Sequence, residues 1–123
     1  MIDLKKSEFL RLHQVRDQVF AGRVHPLMNH DERIITSYES VRDGVVFTNQ
    51  RIFFIIVSGL SGKRVAVTSL PYRSIKAFSH HQTALNVDRE IHLALMEGGK
   101  VKLNFQAQVD TAWLCRVLGQ YVR

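Results

Sequence analysis

A chain of 123 residues, 46% apolar and 23% charged, has room for one domain with a real core. One cysteine, Cys115, excludes an internal disulfide framework. A net charge of +6, from 17 Lys and Arg against 11 Asp and Glu, favours acidic partners of any kind. The basic residues are spread out, and no Lys/Arg block has the form of a nucleic-acid arm, so nucleic acid is not an expected partner. The N-terminal residues lack the apolar stretch of a signal peptide. The longest apolar run, residues 52–57, is far too short to span a bilayer. A cytoplasmic location is the expectation.

Residues 7–20 read as a helix. Phe9, Leu12, Val19 and Phe20 fall near helical spacing, Val15 widens the stripe, Ser7 can cap it and Gly22 can stop it. Pro26 forbids continuation, and Asn29-His30-Asp31 is turn chemistry. His25, His30 and Asp31 match no metal-ligand spacing. Residues 34–41 form the first expected strand, Arg42-Asp43-Gly44 breaks it, and Val45-Val46-Phe47 begins the next. A two-residue loop at Asn49-Gln50, with Asn49 suited to a positive φ, sets Phe47 opposite Ile52 and Val45 opposite Phe54.

The next strand, 52–57, is apolar at every position. A half-solvated antiparallel strand alternates, so both faces of this one are expected to be covered. Two motifs fail at the following turn. Gly62-Lys63 has Val57 where a phosphate loop needs its first Gly, and Arg64 where it needs a hydroxyl. Gly59-Leu60-Ser61-Gly62-Lys63 has Lys where a nucleophile elbow needs Gly. Residues 64–70 read as a strand ended by Pro71, and residues 74–80 as another. His80 and His81 point to opposite faces and cannot share a metal. Ile91, Leu93 and Leu95 face in on one strand; Val101, Leu103 and Phe105 do so on the last. A three-residue loop, Glu97-Gly98-Gly99 with Gly99 left-handed, is expected to pair Leu95 with Val101, Leu93 with Leu103 and Ile91 with Phe105. Residues 109–121 form the closing helix, with Asp110 in its first turn and a buried stripe of Trp113, Leu114, Val117, Leu118 and Tyr121. Cys115 reads as a small helix residue rather than a reactive thiol. Gly119 costs about 1 kcal/mol relative to Ala in a helix, which suggests a close approach.

Five stretches keep a shared order: Val41-Arg42-Asp43, Phe47-Thr48-Asn49-Gln50-Arg51, Gly59-Leu60-Ser61-Gly62-Lys63-Arg64, Leu70-Pro71-Tyr72-Arg73-Ser74-Ile75 and Val87-Asp88-Arg89-Glu90-Ile91. Together they resemble the bacterial pleckstrin-homology-like (PH-like) family, related in fold to PH and GRAM domains. The resemblance covers 27–123 and leaves 1–26 as an N-terminal helical extension. It implies a mainly β sandwich or partly open barrel of about seven antiparallel strands, closed by a C-terminal helix. It brings no agreed ligand, catalytic residue or cofactor, and it implies homo-oligomers, rings among them. Two departures stand out: Ile56-Val57 where the family has polar residues before the Gly-Leu turn, and no glycine near Thr83-Ala84.

No catalytic, cofactor-binding or metal-ligating set is present, and an enzyme is the least favoured reading; that judgement rests on fold-level analogy. The first expectation is an interaction module that self-associates and docks a protein. Its oligomer contact is placed at Phe53, Ile55, Ile56 and Val57, because an uncovered apolar face is rare on a monomer. The cover is a neighbouring subunit, the N-terminal helix, or both. The alternative is a peripheral binder of anionic membrane through Arg51, Lys63, Arg64, Arg73 and Lys76.

Overall fold

Residues 8–15, expected as helix, form a strand, and that strand joins the two halves of the molecule. The computed structural model describes residue 4 and residues 6–82 and 88–123. Its strands are β1 (Glu8–Val15), β2 (Ile34–Glu39), β3 (Gly44–Thr48), β4 (Arg51–Ser58), β5 (Arg64–Pro71), β6 (Ile75–Gln82), β7 (Asp88–Leu95) and β8 (Lys100–Gln106). Its helices are α1 (Gln18–Val24) and α2 (Thr111–Tyr121). The strands make one curled half-barrel in the order β5-β4-β3-β2-β1-β8-β7-β6. The first half of β1 pairs in parallel with β8, as Glu8 with Lys102 and Phe9 with Leu103. Its second half pairs antiparallel with β2, as His13 with Glu39 and Val15 with Ser37.

The change of partner occurs at a bulge. Arg11 has φ 56°, and the register slips between Phe9 and Leu12. The slip turns residues three apart onto one face, so Phe9 and Leu12 both enter the core. That is how a strand came to carry helical spacing. An N-terminal helix is present, but it is the seven-residue α1. Gly22 lies within α1 rather than ending it.

Helix α1 covers the second face of β4. Its Phe20 and Val24 form a small core with Val46, Phe53 and Ile55. Phe20 lies against Gly44, where an added Cβ would stand 2.5 Å from the ring. The opposite face of β4, with Ile52 and Phe54, joins the main core of Phe9, Tyr38, Phe47, Phe105, Leu114 and Leu118. There Phe9 stacks on Phe54 at 5.3 Å, and Tyr38 meets Phe105 edge-on.

The β3–β4 register is as expected, Phe47 opposite Ile52 and Val45 opposite Phe54. Asn49, however, is not left-handed. The turn is braced by Thr48, whose Oγ1 accepts the N–H groups of Gln50 and Arg51, while Asn49 exchanges hydrogen bonds with the Arg33 backbone. The β7–β8 register differs by two residues. Leu93 pairs with Val101 and Ile91 with Leu103, so the three-residue loop is Met96-Glu97-Gly98, closed by the Leu95 N–H on the Gly99 carbonyl. A two-residue slip keeps every inward side chain inward, so alternation alone could not choose between the registers. Gly98 and Gly99 are both left-handed, at φ 95° and 89°.

On α2, Leu114, Val117 and Leu118 are buried, but Trp113 and Tyr121 are only partly so. Gly119 approaches nothing. Burial raises the Cys115 thiol pKa, which keeps it protonated and unreactive at neutral pH. No helix among the described residues is long and apolar enough to cross a membrane.

Candidate functional site

Four of the five sequence stretches meet in pairs, at opposite ends of the β4–β5 hairpin. At the inner end, Phe47–Arg51 meets Leu70–Ile75. Tyr72 donates its hydroxyl to the Thr48 carbonyl at 2.7 Å, and burial raises its pKa well above the ordinary phenol value. Beside it, Glu32 is buried. Its carboxylate accepts from Arg51 Nη2 at 2.7 Å, Arg51 Nε at 3.0 Å, Thr48 Oγ1 at 2.5 Å and the Asn29 N–H at 2.9 Å. Burial pushes the Glu32 pKa up; the hydrogen bonds from Arg51, Thr48 and Asn29 and the Arg51 charge outweigh it and leave the carboxyl below its ordinary value. Arg51 also lies over the Phe53 ring at 4.9 Å. It is a structural cation here, already engaged rather than open to an anion.

At the outer end, Val41–Asp43 meets the Gly59–Arg64 turn. Arg42 donates to the Gly59 carbonyl at 3.0 Å. Asp43 accepts the Val57 N–H at 2.9 Å and pairs with Lys6 at 2.5 Å. The two turns form one tip. It presents Val41, 94% exposed, and the fully exposed Leu60, beside Arg42, Lys63 and Arg64. The expected basic set is therefore divided. Arg51 lies at the opposite end of β4 from Lys63 and Arg64, roughly 23 Å away at about 3.3 Å per residue, and Arg73 follows the end of β5 on that same side. Lys76, at the start of β6, follows Arg73. Arg42, Val41 and Leu60 escaped the sequence reading; Val41-Arg42 and Leu60 stood inside quoted stretches, but nothing in the sequence showed that the two turns touch.

Of the expected oligomer contacts, Phe53 and Ile55 are wholly buried beneath α1. Ile56 and Val57 remain half-exposed. Val57 continues into a half-buried aliphatic strip with Val65 and Val67 of β5. Strands β5 and β6 end the sheet, so each has a neighbouring strand on one side only among the described residues.

The outer face of β6–β8 is polar. His81 stacks on His92 at 4.0 Å, His92 meets Glu90 at 2.9 Å, and Asn104 bridges Glu90 to the Arg11 N–H at the β1 bulge. The hydrogen bond from His92 is the main cause holding the Glu90 carboxyl below its ordinary value. His80 turns the other way, to Thr111 of α2. Thr83, Ala84 and Val87 lie outside the described residues.

A model of the bacterial PH domain family matches residues 3–122. The chain belongs to that family. This bacterial PH domain is 31% identical over 103 residues to the uncharacterized protein YozO of Bacillus subtilis, covering 83% of this chain and 89% of YozO. It is 34% identical over 68 residues to the uncharacterized protein YjqA of the same organism, where it covers 55% of this chain and about half, 54%, of YjqA. Among solved structures it is similar to a DUF1696 family protein with a pleckstrin-homology domain from Shewanella loihica. That likeness has TM-score 0.77 and 26% identity, covering 93% of this chain and 99% of that one. A pleckstrin homology domain from Shewanella amazonensis follows at TM-score 0.68 and 26% identity, covering 89% and 90%.

Proposed function

We propose that this bacterial PH domain is a non-catalytic interaction module that associates with copies of itself and docks a protein partner. The observation that carries the reading is β5: an eight-residue edge strand whose free backbone side adjoins the Val57, Val65 and Val67 strip. An unblocked edge beside aliphatic side chains favours strand addition. Each chain has two different edge strands, β5 and β6. Head-to-tail pairing of one on the other would satisfy both, and such a contact closes into a ring where its rotation allows. Light scattering coupled to size exclusion tests this. An oligomer that Val57→Lys or Val65→Lys dissociates, with unchanged far-UV circular dichroism, supports it; a monomer of 14.2 kDa at every concentration overturns it.

The tip supports a second reading, peripheral binding to an anionic membrane. Val41 and Leu60 could enter the headgroup region while Arg42, Lys63 and Arg64 face the lipid charge, each basic residue contributing about 1 kcal/mol. Arg51, Arg73 and Lys76 take no part. Vesicles rich in phosphatidylserine should sediment the wild type at low salt and not Leu60→Ser. Equal sedimentation of both proteins would count against the tip.

A further inference from the structure

The groove between β2 and α2 is open, about 450 Å³, and lined by two arginines and no acidic residue. Trp113, Arg116, Gln120 and Tyr121 come from one face of α2, at helical spacing, Ile35 from β2 and Arg33 from the residue just before it. Both arginines are exposed. Neither guanidinium has a hydrogen bond or ion pair among the described residues, unlike Arg51, which is committed to Glu32. The walls are held in place. The backbone N–H of Trp113 donates to the Asp110 carboxylate at 3.0 Å, and the Tyr121 ring is stacked on Tyr72 at 5.0 Å. The backbone N–H of Arg33 is held by Asn49 Oδ1 at 2.9 Å.

We infer that this groove docks an acidic segment of a partner protein, with an apolar side chain of that segment against Trp113 and its carboxylates on Arg33 and Arg116. Tryptophan, tyrosine and arginine around a partly apolar floor are the residues that dominate binding energy at protein interfaces. The charge decides the occupant: two guanidiniums with no hydrogen bond or ion pair among the described residues, in a groove lined by no acidic residue, attract an anion, and their planar forks match carboxylates two bonds at a time. The tip, by contrast, offers aliphatic side chains and no aromatic wall. The inference rests on the partner-docking half of the proposed function and is independent of self-association.

Trp113 is the sole tryptophan, so its emission reports the groove directly. The probe is a blocked decapeptide of Glu with a central Leu; the control is its Lys counterpart. A saturable change in Trp113 emission with the acidic peptide alone is expected. Affinity should fall about tenfold or more in Arg33→Glu or Arg116→Glu, and also when salt shortens the Debye length from about 30 Å to about 8 Å. Both variants are at exposed positions, and the amide spectrum of each verifies its fold. No response, or an equal response to the Lys peptide, overturns the inference. So does an equal response to inorganic phosphate at the same concentration, which would make the groove a plain anion site. Light scattering on the same samples separates the two readings: a folded oligomer that ignores the peptide refutes the groove alone.

Discussion

Glu32 shows how one side chain sets the acid limit of a surface loop. It is inaccessible to water, yet Arg51, Thr48 and the Asn29 N–H hold it ionised. Its native pKa lies below the ordinary value of 4.5. As pH falls, the unfolded chain therefore takes up this proton first. The contribution of Glu32 is complete above the ordinary carboxylate range and is lost as pH drops through its native value. Glu32→Gln should cost about 1–3 kcal/mol at pH 7, and the gap to wild type should narrow below about pH 4.5. Urea titrations across pH measure both; a gap that stays constant from pH 7 to 3 would contradict it. Gly119 is the opposite case. It stands in a helix, exposed, with no atom in the way of a Cβ, so Gly119→Ala should stabilise the fold by about 1 kcal/mol. Trp113 is only half-buried, so Trp113→Ala should cost less than the roughly 3–5 kcal/mol of a core aromatic. The same urea melts give both values.

Among the elements, α1 does more than its seven residues suggest. It is too short to be stable alone and persists because Phe20 and Val24 are buried against β3 and β4. Phe20→Ala should cost about 3 kcal/mol or more and expose Phe53 and Ile55. Gly44→Ala should act through the same contact, since its Cβ would drive the Phe20 ring away. Binding of a hydrophobic dye by either variant would register the uncovered face, and a dye-silent, wild-type melt would refute the contact. The unbroken apolar run of β4 thus correctly signalled two covered faces; the sequence could not say which element supplied the cover. Alternation located β7 and β8 because each has one face toward the main core. It failed at β1, where the Arg11 bulge breaks the period of two, and at the β7–β8 register, where two alignments bury the same residues. The tip and the Trp113 groove were out of reach for another reason. Each is made by residues from separate elements, so no local pattern contains it.

On the scale of the whole molecule, the place of β1 has a kinetic consequence. Strands β2 to β5 are a meander of neighbours, and β6 to β8 are another, so each can assemble from contacts near in sequence. Strand β1 belongs to both, and its parallel pairing with β8 joins positions 93 apart, Arg11 and Asn104. Chain-closure entropy makes such a pairing slow and late. Although β1 precedes every other strand, it must wait for β8. The two meanders should gain amide protection first and β1 last, and pulse-labelled hydrogen exchange during refolding resolves that order. Until β1 enters, β2 and β8 are themselves unprotected edges at the centre of the future sheet, open to pairing with a second unfinished chain. Crowded refolding should therefore lose yield to aggregation chiefly before β1 docks, and a Leu12→Ala change, which weakens its anchor, should enlarge that loss.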